Sequence, residues 1–207
     1  MTVDTSTLAP AQTVALGSTP DVLDEIWLPG RAAAIWQRRS QERLLARIDA
    51  LAPEKLPEMR LALPPNRVES YLERLCAARG GAGNPCGKML ASDAGFLATV
   101  FARVLKADLV TVRLDILRDD ACRRFHLDNV PARLLCTYRG PGTEYGCARE
   151  GEDPDTIHRL QTGAVGLFRG RLWPGPEPSG IVHRSPPIAG LGETRLLLVI
   201  DPATDSD

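Results

Sequence analysis

Two histidines and an aspartate dominate the chemistry open to this 207-residue chain. Phe125-His126-Leu127-Asp128 places an imidazole and a carboxylate two positions apart. On an extended segment residues i and i+2 share a face, so both heads can converge on one point. His183 follows in a second short β-like run, Ile181-Val182-His183, and Arg195 stands twelve residues later, in the last apolar run. Two imidazoles and one carboxylate are the donors of a facial triad, which leaves three coordination positions open and suits the oxygen chemistry of non-haem Fe(II). An arginine on the strand after the distal histidine can pair through two parallel hydrogen bonds with the far carboxylate of a chelating co-substrate. Singly, each residue has a plainer reading. H-x-D on a polar strand is more often structural, His183 alone is more often a hydrogen-bonded histidine, and Arg195 alone is a surface or ion-pair residue. Only the four together agree in order, face and spacing.

Two textures of sequence must position these groups. From Asp21 to Ala107 the spacing is helical. Arg31 to Leu51 carries Ile35, Leu44, Leu45, Ile48 and Leu51 among Arg and Glu, an amphipathic pattern that Pro53 must end. Asn66 with Glu69 three residues later predicts a helix start, running to Arg79 before Gly80-Gly81. Ser92 is a candidate cap for a third helix with Phe96, Leu97, Val100, Phe101 and Val104 as its buried stripe. Beyond Ala107 the period shifts towards two: 109–117, 133–138, 164–168 and 194–200 read as short strands separated by Gly/Pro turns. Strands at this spacing without long helices between them predict an antiparallel sandwich or barrel. The expectation is a loosely ordered arm over 1–20, then a single α+β domain over 21–207, with a helical part at 21–107 and a β-rich metal-binding core at 108–201.

Composition narrows the function. Lys and Arg number 25 against 26 Asp and Glu, a net charge of −1, which lacks the basic excess of a protein held by nucleic-acid phosphates. No apolar run approaches the ~20 residues of a membrane span. Met1 to Pro20 contains no Lys or Arg and so lacks the charged region of a secretory signal. Five cysteines with no C-x-x-C pair suit free thiols in a reducing cytoplasm better than a disulfide framework.

The segment Cys122–Glu144, with Leu167-Phe-Arg-Gly170 and Val182-His-Arg-Ser-Pro-Pro187, resembles an uncharacterised bacterial family, domain of unknown function 1826. More distantly, His126-x-Asp128, a strand ending in Tyr138, the Gly163–Phe168 strand, His183 and Arg195 resemble the double-stranded β-helix of Fe(II)/2-oxoglutarate dioxygenases, closest to the prolyl hydroxylase branch. The pattern departs from that branch at Ala164, where an acidic residue is common, and at Arg184 and Pro186-Pro187. The resemblance implies a helical support on a C-terminal cupin-like jelly roll. In it His126, Asp128 and His183 would bind iron, Arg195 would hold the distal carboxylate of 2-oxoglutarate, and Tyr138 would assist by hydrogen bonding. The implied activity is hydroxylation, with O2, of a small-molecule or protein substrate. The alternative is a non-catalytic zinc or other divalent-metal module on the same scaffold, which has no use for Arg195.

Around this set, alternation along 133–138 puts Arg133, Leu135 and Thr137 on the face opposite Leu134, Cys136 and Tyr138. Arg133 is a possible substrate anchor. Ser185 could assist a carboxylate or serve the turn before Pro186. His158 falls in a short helical pattern, Gly140-Pro-Gly142 reads as a hairpin turn, and Trp173 could belong to a lid.

Overall fold

A computed structural model of the chain describes residues 9–38, 41–80 and 85–203. The elements in chain order are β1 (Thr13–Gly17), β2 (Arg31–Trp36), α1 (Glu42–Asp49), β3 (Met59–Leu63), α2 (Val68–Gly80), α3 (Pro85–Leu105), β4 (Val110–Leu117), β5 (Ala132–Arg139), β6 (Glu144–Cys147), β7 (His158–Arg159), β8 (Val165–Arg169), β9 (Ile181–Arg184) and β10 (Arg195–Pro202). Seven strands form one sheet in the order β1-β2-β8-β5-β10-β4-β3, antiparallel except where β1 joins β2. A smaller sheet, β7-β6-β9, is extended at its β9 edge by a bridge between His126 and His183. From β4 onward the chain visits the large sheet, the small sheet at His126, the large sheet at β5, the small sheet at β6 and β7, then large, small and large again at β8, β9 and β10. The fold is mixed α/β around one large sheet.

Period-two alternation explains the layering. Leu134, Cys136 and Tyr138 of β5, Leu196, Leu198 and Ile200 of β10, and Val110, Val112 and Leu114 of β4 pack with the helices in one core. The intervening residues Leu135, Leu197 and Val199 face the small sheet in a second core with Tyr145, Phe168 and Ile181. The large sheet is therefore buried on both faces, and polar groups on its second face are held between two sheets. No described helix is long and apolar enough to cross a membrane.

The first hundred residues depart from the helical expectation. Residues 1–8 of the expected arm lie outside the described residues, but Thr13–Gly17 is a strand paired to β2. Arg31–Trp36 is strand rather than the start of a helix reaching Leu51, of which only Glu42–Asp49 is helical. Ala32, Ala33, Ala34 and Ile35 are all buried because β2 lies inside the sheet between β1 and β8, and burial on both faces overrides the helix preference of alanine. Met59–Leu63, unassigned from sequence, is the edge strand β3. The helix expected at Asn66 begins at Val68, after a 3-10 turn over Pro65–Arg67. The third helix starts at Pro85, so Ser92 sits inside it rather than capping it. The Gly-rich segment after Tyr138 leads into β6, and His158 lies on the short strand β7, exposed, with its ring stacked on Tyr145.

Candidate metal centre

His126 and His183 form an isolated antiparallel bridge in which each backbone N–H donates to the other's carbonyl at 3.1 Å. Directly opposed residues of such a pair project side chains to the same side, and the two rings lie 4.8 Å apart between centroids. Asp128, two residues beyond His126, brings Oδ2 to 3.0 Å from His183 Nε2 and Oδ1 to 3.6 Å from His126 Nε2. One donor atom from each of the three residues lies within 4.8 Å of the others, the only such cluster of His, Cys, Asp and Glu among the described residues. The turn carrying Asp128 is fixed by the strand end opposite. Arg171 N–H donates to Asp128 O at 2.8 Å, and Gly170 N–H to Pro131 O at 2.8 Å.

The fit of the donor set to a cation turns on the state of each donor atom. His126 Nδ1 lies 2.9 Å from Arg124 O. A carbonyl only accepts, so Nδ1 carries the proton and Nε2 keeps its lone pair towards the centre. Asp128 Oδ2 is buried without a hydrogen bond, 3.0 Å from His183 Nε2. Burial would raise the Asp128 carboxyl. Its interactions with His126 and His183, then the charge of Arg133, outweigh burial and hold it well below the usual carboxylate range. The Asp128 interaction raises His126, against the opposing effect of burial. A buried, ionised oxygen without a hydrogen bond, beside two imidazoles, fits a divalent cation, which iron or zinc would satisfy.

A cavity of about 190 Å³ adjoins the cluster, lined by His126, His183, Arg133, Leu135, Ser185 and Leu197 among others. Arg195 lies on the same inter-sheet face of β10 as Leu197 and Val199, fully buried. Its guanidinium donates to Pro141 O at 2.7 Å, Ser185 Oγ at 3.3 Å and Thr137 Oγ1 at 3.5 Å, and it makes no ion pair among the described residues. Burial first, with the nearby Arg159 charge, pulls it down to about 10, partly opposed by Glu144. Gly140 makes room for its stem: at φ +75° a Cβ there would sit 2.9 Å from Arg195 Cγ. Ser185 thus joins Arg195 to the cavity and is not merely a turn residue.

Tyr138 is not in this space. It projects from the other face of β5 and donates to Asp93 Oδ2 at 2.6 Å, in a buried network that also joins Arg38 to Asp93 at 2.6 Å. The odd spacing from Arg133 and Thr137 sends it to the helical side, so its expected role as a hydrogen-bonding helper for 2-oxoglutarate is corrected. Trp173 is no lid either: it is buried against Trp27, ring centroids 4.4 Å apart, with Arg169 over its ring. Thr137 and Asp201 were not expected as partners of the site, and Arg133 was expected only as a possible substrate anchor: Thr137 meets Arg195, and Arg133 contacts both Asp128 and Asp201. Their signal was the shared inter-sheet face of β5 and β10, which needed the register of the two strands.

The family profile described as protein of unknown function (DUF1826) matches residues 17–201. The chain belongs to the DUF1826 family. No curated protein sequence matches it. Among solved structures it is similar to dioxygenase for auxin oxidation 1 from Arabidopsis thaliana, in binary complex with 2-oxoglutarate. That match has 8% identity over 97% of this chain and 95% of that one, with a TM-score of 0.55. The dioxygenase for auxin oxidation in rice matches at 10% identity over 97% and 85%, with a TM-score of 0.53. At these identities the likeness shows a shared fold, so this DUF1826 chain is built on a framework found in dioxygenases.

Proposed function

We propose that this DUF1826 protein is an Fe(II)-dependent dioxygenase that uses 2-oxoglutarate, and that its two facing sheets are the halves of a double-stranded β-helix. The alternation of the chain between sheets from β4 to β10 supports the second statement. The first is carried by one juxtaposition. A cluster of two imidazoles and an ionised carboxylate shares an inter-sheet space with a buried guanidinium that has no ion-pair partner among the described residues.

His126 Nε2, Asp128 and His183 would hold the metal. When bound, iron would supply the positions at which a 2-oxo acid chelates and dioxygen is reduced. The chain's own work is positional and electrostatic. Arg195, with Thr137 and Ser185 beside it, would receive the distal carboxylate of the co-substrate, replacing its water shell with fixed donors. Leu135, Leu197 and Val199 give the cavity an apolar patch beside its charged lining residues Arg113, Asp115, Arg133 and Arg184. The balanced outcome is 2-oxoglutarate, O2 and a substrate C–H giving succinate, CO2 and a C–OH.

The test is anaerobic loading with Fe(II) followed by titration with 2-oxoglutarate. The expected results are a visible charge-transfer band as the oxo acid chelates iron and, on admitting air, succinate formation. Metal binding without any 2-oxoglutarate binding would overturn the proposal.

A further inference from the structure

We infer that Arg133 is a positioning residue that decides which oxygen of Asp128 is offered to a metal, and that Asp201 in turn fixes Arg133. The inference rests on reading His126, Asp128 and His183 as metal ligands. Arg133, on β5, and Asp201, on the adjacent strand β10, both face the space between the sheets. Arg133 Nε and Nη2 donate to Asp201 Oδ1 and Oδ2, each at 2.7 Å, a bidentate fork. Arg133 Nη1 donates to Asp128 Oδ1. The guanidinium is planar and rigid, so once its Nε–Nη2 edge is seated on Asp201 the direction of Nη1 is fixed.

This geometry accounts for the orphaned oxygen. Asp128 has one oxygen engaged by Arg133, while the other, Oδ2, is buried without a hydrogen bond and lies nearest His183 Nε2. A carboxylate gripped in this way presents a single oxygen. With a metal bound, the second oxygen would be kept on Arg133 rather than taking a further coordination position. The Asp128 backbone is pinned as well, by the Arg171 N–H, so the side chain has little freedom to turn. Asp201 has an electrostatic part too. It neutralises Arg133, so the guanidinium orients Asp128 without cancelling the negative charge on which a cation depends. A lysine could supply the charge at position 133 but not three directed donors.

The test is a Co(II) titration of the purified full chain, followed by its visible absorption. Arg133→Lys is expected to weaken Co(II) binding about 10- to 100-fold, the usual effect of losing a partner behind a ligand. Asp201→Asn, which keeps the Arg133–Asp128 contact but loosens the fork, is expected to weaken it less and guards against a misfolded Arg133 variant. The decisive comparison is made in an Asp128→Ala background, where the two-histidine remnant binds more weakly. There Arg133→Lys should have no further effect, because it acts through the missing carboxylate. Wild-type affinity, within about threefold, in both folded single variants would overturn the inference alone. So would an Arg133→Lys loss that persists undiminished without Asp128. Failure of the wild-type chain to take up Co(II) would overturn the metal site and this inference together.

Discussion

Replacing Arg195 by methionine separates a ligand-binding arginine from a structural one. In the folded chain its pKa falls from 12.5 to about 10, chiefly through burial. At about 1.4 kcal/mol per unit, the charged form is disfavoured by roughly 3 kcal/mol. For a base whose folded pKa is lowered, this cost is fully present below pH 10 and is relieved only as pH rises from 10 towards 12.5. At neutral pH the empty protein therefore carries it in full. Methionine, of similar length, removes the cost but strands the Pro141 carbonyl, the one close partner at 2.7 Å, a loss of about 1–3 kcal/mol; the two hydroxyls, at 3.3 and 3.5 Å, lose weaker contacts. The two effects nearly cancel, and the melting temperature without ligand should move by only a few degrees. Binding of 2-oxoglutarate should suffer far more. A buried carboxylate that has lost its cationic partner costs about 2–5 kcal/mol, or roughly 30-fold to several-thousand-fold in affinity. Thermal melts with Mn(II), which binds like iron without turning over, across a range of 2-oxoglutarate concentrations measure both quantities. A co-substrate-dependent shift retained within about threefold in affinity refutes the reasoning. So does a collapse of the ligand-free variant by more than about 10 °C, which would make Arg195 a core support.

Three further outcomes follow from named contacts. Tyr138→Phe removes the hydroxyl held by Asp93 on the helical side. It should cost about 1–2 kcal/mol in a denaturant melt and leave 2-oxoglutarate affinity unchanged; a large affinity loss would return Tyr138 to the site. Gly170→Ala would place a Cβ 2.0 Å from Val130 O and 2.8 Å from Asp128 O. It should destabilise the chain by about 1–3 kcal/mol and weaken metal uptake by displacing the turn that carries Asp128. Glu144 is lowered in pKa: burial raises it, but its hydrogen bonds with Arg159 and Arg184 outweigh that. Its contribution is then present above the ordinary carboxylate range and lost as pH falls through the lower folded value. Glu144→Gln should be less stable at pH 7 and should flatten the acid side of a stability-versus-pH curve.

The C-terminal strands were legible because their apolar residues alternate where one sheet face meets helices and the other meets a second sheet. β5, β8 and β10 fall within a residue or two of their expected bounds. His126 and Asp128 were legible because extended geometry gives i and i+2 a common face. His183 depended on a pairing between distant segments that no local pattern encodes. β2 was misread because four buried residues in a row carry no period, so alanine's local preference was the only signal. The sorting of Tyr138 from Thr137 and Arg133 was present in the alternation, but which face lined the cavity was not. That was decided by where the helices docked. Arg133 could be seen as a charged residue near the site, yet its partner Asp201 lies 68 positions away, and only strand register brings the two together.

β10 carries Arg195 at its start and Asp201 six positions on, both turned into the same gap. On the proposed reading, one rail would bear both the grip for an incoming anion and the anchor behind a cation's ligand. Deleting a single residue between them would reverse the phase of one relative to the other and drive a charged group into the apolar layer beneath the helices. Length changes along this strand are therefore tolerable only in pairs. Even then the spacing between anion grip and metal cluster would change by about 7 Å, more than any rotamer could recover. In descendants of this chain, variation in what the cavity admits should accumulate in the loops around that rail and spare its length.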